Sequence, residues 1–129
     1  MMDIIIDTNR YRDFCEGDLQ AVAVFRNAGV IHVPFIVLAE LRAGFAAGTR
    51  SSHNEIILNR FLMKARVRSL FPDEATTRHY AYLFKFLRDQ GTPVPVSDLW
   101  IASLSVQHNL PLFTRDSHFD KLYQVPRVE

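Results

Sequence analysis

Residues 3–7 read Asp3-Ile4-Ile5-Ile6-Asp7, and this run decides the fold. Uninterrupted β-branched apolar residues between two aspartates predict a short buried strand. Working outward, a helix is expected from about Tyr11 through Asn27, ending at Gly29. Val30–Val33 predicts a second short strand. Pro34 then opens a helix through Glu40 and Arg42 to about Ala47, with Gly48 after it. Two longer helical patterns follow, one with Ile57, Leu58, Phe61, Leu62 and Ala65 on one face, the other with Tyr80, Leu83, Phe84 and Leu87. Val67–Phe71 supplies a strand between them, and Asp73 or Thr76 caps the second helix. Pro93 and Pro95 force residues 91–96 into an extended connection. Ser97 and Asp98 start a helix that reaches about Asn109. Leu110–Thr114 is a further strand, and Val125–Val128 a last one, placed at an edge by Pro126. Strands alternate with helices and no Asn-Gly hairpin signal intervenes, so the expected class is α/β with a mainly parallel central sheet.

Length and composition narrow the rest. The 129 residues fit a single domain spanning 1–129, and 48% apolar residues describe an ordinary globular chain rather than a disordered one. Cys15 has no second thiol to pair with, which favours a reducing compartment. No basic region precedes an apolar run at the N-terminus, so no signal peptide is expected. The apolar stretch Val33–Ala39 is interrupted by Pro34 and is far shorter than the roughly 20 residues of a membrane span. A soluble, cytoplasmic protein is expected. A net charge of +1 excludes a generic basic nucleic-acid binder. Arginine nevertheless far outnumbers lysine, and Arg42, Arg50, Arg60, Lys64, Arg66 and Arg68 lie in one segment opposed by Glu55 alone. That segment is either a basic face or simply a solvated helix surface.

Four acids stand at positions that parallel sheets use for chemistry. Open parallel sheets place their sites beyond the carboxyl ends of their strands. Asp7 closes the first strand, Asp116 follows the strand that ends near Thr114, and Asp98 stands at a helix start. Each also has an ordinary reading as a helix cap, contributing about 1 kcal/mol. Glu40 lies in Phe35-Ile36-Val37-Leu38-Ala39-Glu40-Leu41, apolar on nearly every side, where an ionised carboxylate is expected to be buried and to need a cation. A salt bridge to a residue from elsewhere, such as Arg115, is the competing account. Converging carboxylates raise one another's pKa unless a hard divalent ion joins them, and Mg²⁺ or Mn²⁺ with oxygen ligands commonly acts on phosphates. The five histidines show no zinc-ligand spacing. Phosphate-cradling glycine loops and the G-x-S-x-G elbow of serine hydrolases are absent too.

Four segments together resemble a known family. They are Ile5-Ile6-Asp7-Thr8-Asn9, Val37-Leu38-Ala39-Glu40-Leu41-Arg42-Ala43-Gly44, Pro95-Val96-Ser97-Asp98-Leu99-Trp100-Ile101-Ala102 and Leu112-Phe113-Thr114-Arg115-Asp116-Ser117-His118-Phe119. Their order and spacing resemble the PIN-domain ribonucleases, within them the VapC-type toxins of toxin–antitoxin pairs. The resemblance implies a PIN-like parallel sheet flanked by helices, with Asp7, Glu40, Asp98 and Asp116 as catalytic, Mg²⁺- or Mn²⁺-binding acids. Thr8, Asn9 and Thr114 would orient carboxylates or water behind them. Ser97 departs from the asparagine or aspartate of many relatives, which leaves the four acids intact. The resemblance further implies an RNA substrate, such as tRNA or rRNA loops, a cognate antitoxin and a homodimer. Arg10, Arg12, Arg42 and Arg115 are candidates to hold the RNA backbone. Phe45, Phe61, Phe84 and Phe86 are candidates to line an antitoxin groove.

Other classes fit less well. A haloacid-dehalogenase-like phosphatase needs a second acid where Asn9 stands. A non-catalytic PIN-like binding module would have little use for all four acids. An RNA-processing PIN nuclease outside a toxin–antitoxin system is a third alternative, and the short chain favours the toxin.

Overall fold

In the computed structural model, which describes residues 1–129, β1 (Ile4–Ile6) and β2 (Ile31–Pro34) are the first two strands of a four-stranded sheet. β3 (Val67–Leu70) and β4 (Leu112–Phe113) complete it, in the order β3-β2-β1-β4, with every neighbouring pair parallel. Ile5 faces His32 on one side and Leu112 on the other, so β1 is central and its three isoleucines are fully buried. The expected Val125–Val128 strand shrinks to one parallel bridge, Leu112 to Arg127. Pro126 accepts from the Leu112 N–H at 2.8 Å but has no N–H to extend the ladder.

Helices link the strands: α1 (Thr8–Cys15), α2 (Leu19–Asn27), α3 (Phe35–Ala47), α4 (Ser51–Leu62), α5 (Glu74–Gln90) and α6 (Val96–His108). The single helix expected over Tyr11–Asn27 is two. Gly17 takes φ of 81°, and Asp18 caps a new helix by accepting from the Ala21 N–H. Before α5, Asp73 and Thr76 both act, in a reciprocal capping box. Asn109 ends α6 in the left-handed conformation, as the sequence predicts for that boundary. A 3₁₀ turn, Ser117–Lys121, follows β4. No helix is long and apolar enough to cross a membrane.

This topology fixes where a site belongs. From β1 the chain moves out through β2 to β3, and β4 returns to the other side of β1. The strand order therefore reverses between β1 and β4, and the region beyond their carboxyl ends is where such sheets place their sites. Asp7 follows β1 and Asp116 follows β4.

Candidate active site

Asp7 is the N-cap of α1 and 5% exposed. Its Oδ1 accepts from the Thr8 N–H at 2.7 Å, and its Oδ2 accepts from Thr114 Oγ1 at 2.7 Å. The cap expected for this residue is therefore present, at the strand-end position considered for a site. Thr114 Oγ1 also accepts from the Asp116 N–H at 2.9 Å, which ties the loop after β4 to the end of β1. Asn9 supports the same join: its Nδ2 approaches Asp7 Oδ2 and Thr114 Oγ1 at 3.5 and 3.4 Å, and its Oδ1 accepts from the Arg115 N–H.

Asp98 lies in the first turn of α6, where free N–H groups favour a carboxylate, and is 7% exposed. Its pKa is nonetheless pushed up to about 6, first by burial and then by the neighbouring charges of Asp116 and Asp7, against a hydrogen bond from His118. Asp7 is raised too, chiefly by burial and in part by Asp116. No lysine or arginine pairs with Asp7, Asp98 or Asp116. Three neighbouring carboxylates with no lysine or arginine partner form an acidic cluster of oxygen donors.

His118 is the residue that sequence reasoning missed. Its Nδ1 lies 2.8 Å from Asp98 Oδ2 and 3.0 Å from Asp116 Oδ1, and its backbone N–H donates to the same Asp116 oxygen. One ligand atom from each of Asp98, Asp116 and His118 falls within 4.8 Å of the others. Histidine pairs at zinc spacing were the wrong pattern to seek. The available signal was Asp116-Ser117-His118 at the start of a 3₁₀ turn, which carries both side chains to one side.

Glu40 requires a correction. It is solvent-exposed, because α3 buries Val37, Leu38 and Leu41 and leaves Ala39 and Glu40 outward. Its expected burial was the reason to invoke a cation, and that reason fails. Glu40 still adjoins the site through Thr8, whose Oγ1 donates to Glu40 Oε1 at 2.8 Å. It stands outside the tight group of Asp98, Asp116 and His118. Arg115 does not pair with it.

The arginines and phenylalanines also sort differently from expectation. Arg10 is buried, with its guanidinium 4.3 Å from the Phe113 ring centroid, and pairs with Asp13. Arg115 pairs with Asp13 and Arg42 with Glu55, so only Arg12 of the four is without an ionic partner. Arg66 donates to the carbonyls of Phe25 and Ala28, where α2 ends. Phe45 joins Tyr11, Leu41 and Ile57 around a groove of about 360 Å³ between α1, α3 and α4, with Arg12 and Glu16 also on its walls. Phe61 is core and lines the neighbouring hollow, Phe84 lines a separate one, and Phe86 packs edge-on against Tyr123. The four phenylalanines do not share one groove.

The fold and the site together define the class: an all-parallel α/β domain with acidic side chains gathered at its switch point. Comparison with known families matches residues 4–125 to the PIN domain, and the chain belongs to that family. Over 94 residues it is 32% identical to the ribonuclease VapC5 of Mycobacterium tuberculosis, covering 73% of this chain and 70% of that protein. It is similar to the solved VapBC2 structure from Rickettsia felis bound to a promoter DNA fragment, with a TM-score of 0.83, 25% identity and 98% of each chain covered. It is also similar to VapBC-5 of Mycobacterium tuberculosis, described as a member of a family of toxin–antitoxin systems. There the TM-score is 0.76 at 25% identity, covering 99% of this chain and all of that one, 100%.

Proposed function

We propose that this chain, as one PIN domain over residues 1–129, is a Mg²⁺- or Mn²⁺-dependent endoribonuclease and the toxin of a toxin–antitoxin pair. The observation that carries the reading is the set of Asp7, Asp98 and Asp116, the first two buried and none paired to a lysine or arginine, in a chain related to VapC ribonucleases. Hard oxygen donors with one imidazole suit Mg²⁺ or Mn²⁺ better than a zinc cage. Asp7, Asp98 and Asp116 would hold the ion, with Glu40 at the rim and His118 beside it. When bound, such an ion supplies charge neutralisation at phosphorus and a more acidic water.

The chain's own residues do the rest. Thr114 and the Thr8 N–H hold both Asp7 oxygens, so that carboxylate presents one fixed orientation. Asn9 and Thr114 lock the loop that carries Asp116. Thr8 holds Glu40 beside the site, where an exposed carboxylate can take a proton from water. A site at the protein surface suits accessible single-stranded loops of folded RNAs, such as tRNA or rRNA. Arg12 is placed to meet phosphate or a partner's acid.

The antitoxin reading rests on the relatives' toxin–antitoxin structures and on the groove between α1, α3 and α4. A segment lying there would end beside Thr8 and Glu40. A homodimer and a cytoplasmic location, where Cys15 stays reduced, complete the reading.

Incubating purified, antitoxin-free protein with total cellular RNA tests it, comparing Mg²⁺ and Mn²⁺ with EDTA and including Asp98→Asn. Discrete fragments that need metal and vanish in the variant support the nuclease. A folded protein that cuts nothing in either metal leaves a non-catalytic PIN-like binding module.

A further inference from the structure

We propose that Asp13 and Arg115 are positioning residues for the carboxylate site: their ion pair pins the loop bearing Asp116 against α1 and thereby sets the site's affinity for its cation. This rests on the metal-dependent reading above. The loop between β4 and the 3₁₀ turn is only Thr114, Arg115 and Asp116. Arg115 donates through Nε to Asp13 Oδ2 at 2.7 Å and through Nη2 to Asp13 Oδ1 at 2.9 Å, a two-bond fork. Such forks fix direction as well as distance.

Asp13 is itself held from the other side. Arg10 Nη1 reaches its Oδ2 at 3.2 Å, and the Arg10 guanidinium lies on the ring of Phe113, the last residue of β4. The Asp13 side chain is only 13% exposed, so both arginines act on a carboxylate largely shielded from water. The pair thus joins α1 to β4 and to the loop beyond it. At the end of that loop, the Asp116 charge repels those of Asp98 and Asp7. Other ties are the Thr114 hydroxyl to Asp7, the Arg115 N–H to Asn9 at 3.3 Å, and His118 Nδ1 between Asp116 and Asp98. The fork is the tie that rests on a permanently charged group, whereas the His118 imidazole carries charge only when protonated.

The competing role for Arg115 is direct contact with an RNA phosphate. The two are separated by titrating Mn²⁺ into metal-free protein, followed by electron paramagnetic resonance, without RNA. Arg115→Gln is the main variant, since its side chain is half exposed and its loss leaves Asp13 paired to Arg10. The expected result is Mn²⁺ affinity about tenfold weaker in Arg115→Gln, partly recovered in Arg115→Lys. Asp13→Asn is expected to match Arg115→Gln, and the double variant to be no weaker than either single one, because both remove the same tie. Unchanged Mn²⁺ affinity in Arg115→Gln, with RNA binding weakened instead, overturns the proposal in favour of a phosphate contact. A wild-type protein that binds no Mn²⁺ removes the metal reading and this proposal with it. Binding by wild type with additive losses in the double variant overturns the ion pair alone.

Discussion

Asp7 and Asp13 stand on the same helix, one as its cap and one within it, and both side chains are largely removed from water. Their electrostatics are opposite. Arg115 and Arg10 hold Asp13 below the usual carboxylate range. Asp7, with no basic partner, is held above it by burial and by Asp116. Asp98 shares the condition of Asp7 more strongly, reaching about 6. Burial alone therefore does not distinguish a structural carboxylate from a site carboxylate here. The supply of local arginine does, and the fold directs that supply away from the site.

The largest test of the contrast is activity. Asp98→Asn should lower RNA cleavage on the order of 10³-fold while leaving the fold intact, since the substitution removes charge from the candidate metal site and little volume. A gel assay on a mapped RNA fragment measures it. Loss of a few-fold only would place Asp98 outside the reacting group, and the raised pKa would then describe a merely awkward side chain.

Stability should separate the two regions by sign. Asp13→Asn leaves buried Arg10 and the loop arginine short of a partner and should cost about 3 kcal/mol. Asp98→Asn should instead stabilise the metal-free protein by about 1–2 kcal/mol, since it relieves a buried charge beside two others. Urea unfolding without metal measures both. If both variants are destabilised alike, Asp98 is anchored by interactions that outweigh its repulsion, and the contrast between the regions is broken.

The pH response sharpens the same point. Asp98 has a folded-state pKa of about 6, above its ordinary 3.8, so the folded state binds more protons than the unfolded state between those values. Its favourable contribution is present below about pH 4 and lost as pH rises through about 6, a loss of at most about 3 kcal/mol. Asp13 has the reverse sign: its lowered pKa contributes stability above the unfolded value, lost as pH falls through the folded one. Metal-free protein should therefore melt at a lower temperature at pH 7 than at pH 5. Saturating Mg²⁺ should raise the pH 7 value most. Calorimetry that shows a flat profile with and without metal would mean the three acids do not share a charge-dense site.

Much of this was legible in the sequence because local rules and the fold agree. Ile4-Ile5-Ile6 has no solvated face, so it reads as a central strand and is one. The places of Asp7, Asp98 and Asp116 in the fold were legible because strand ends and helix starts are defined by short-range patterns. Several misses share a cause, which is dependence on the partner surface. Glu40 was misjudged because an apolar helix was taken to be covered on all sides, whereas α3 leaves Ala39 and Glu40 to solvent. The break at Gly17 was missed although Glu16-Gly17-Asp18 offers a glycine stop followed by an aspartate cap. Arg10 and Arg115 looked free because Asp13, their partner, lies across a helix–loop contact that no spacing rule shows. His118 had only the local signal of its spacing from Asp116, since its contact with Asp98 comes from another helix.

The smallest expected effect concerns Glu40, the acid that belongs to neither region. It is exposed and held by one hydroxyl, Thr8 Oγ1. Glu40→Gln keeps an acceptor for that hydroxyl, so stability without metal should move by no more than about 0.5 kcal/mol. The melting profile against pH should keep the wild-type shape, since Glu40 is absent from the charges that raise Asp7 and Asp98. Mn²⁺ affinity should fall less than in Asp98→Asn, because Glu40 lies at the rim and not between the other ligand atoms. Stabilisation as large as that of Asp98→Asn would reveal that Glu40 turns inward in solution. The site would then hold four mutually repelling carboxylates, and the arginine-free region would extend from α6 to α3.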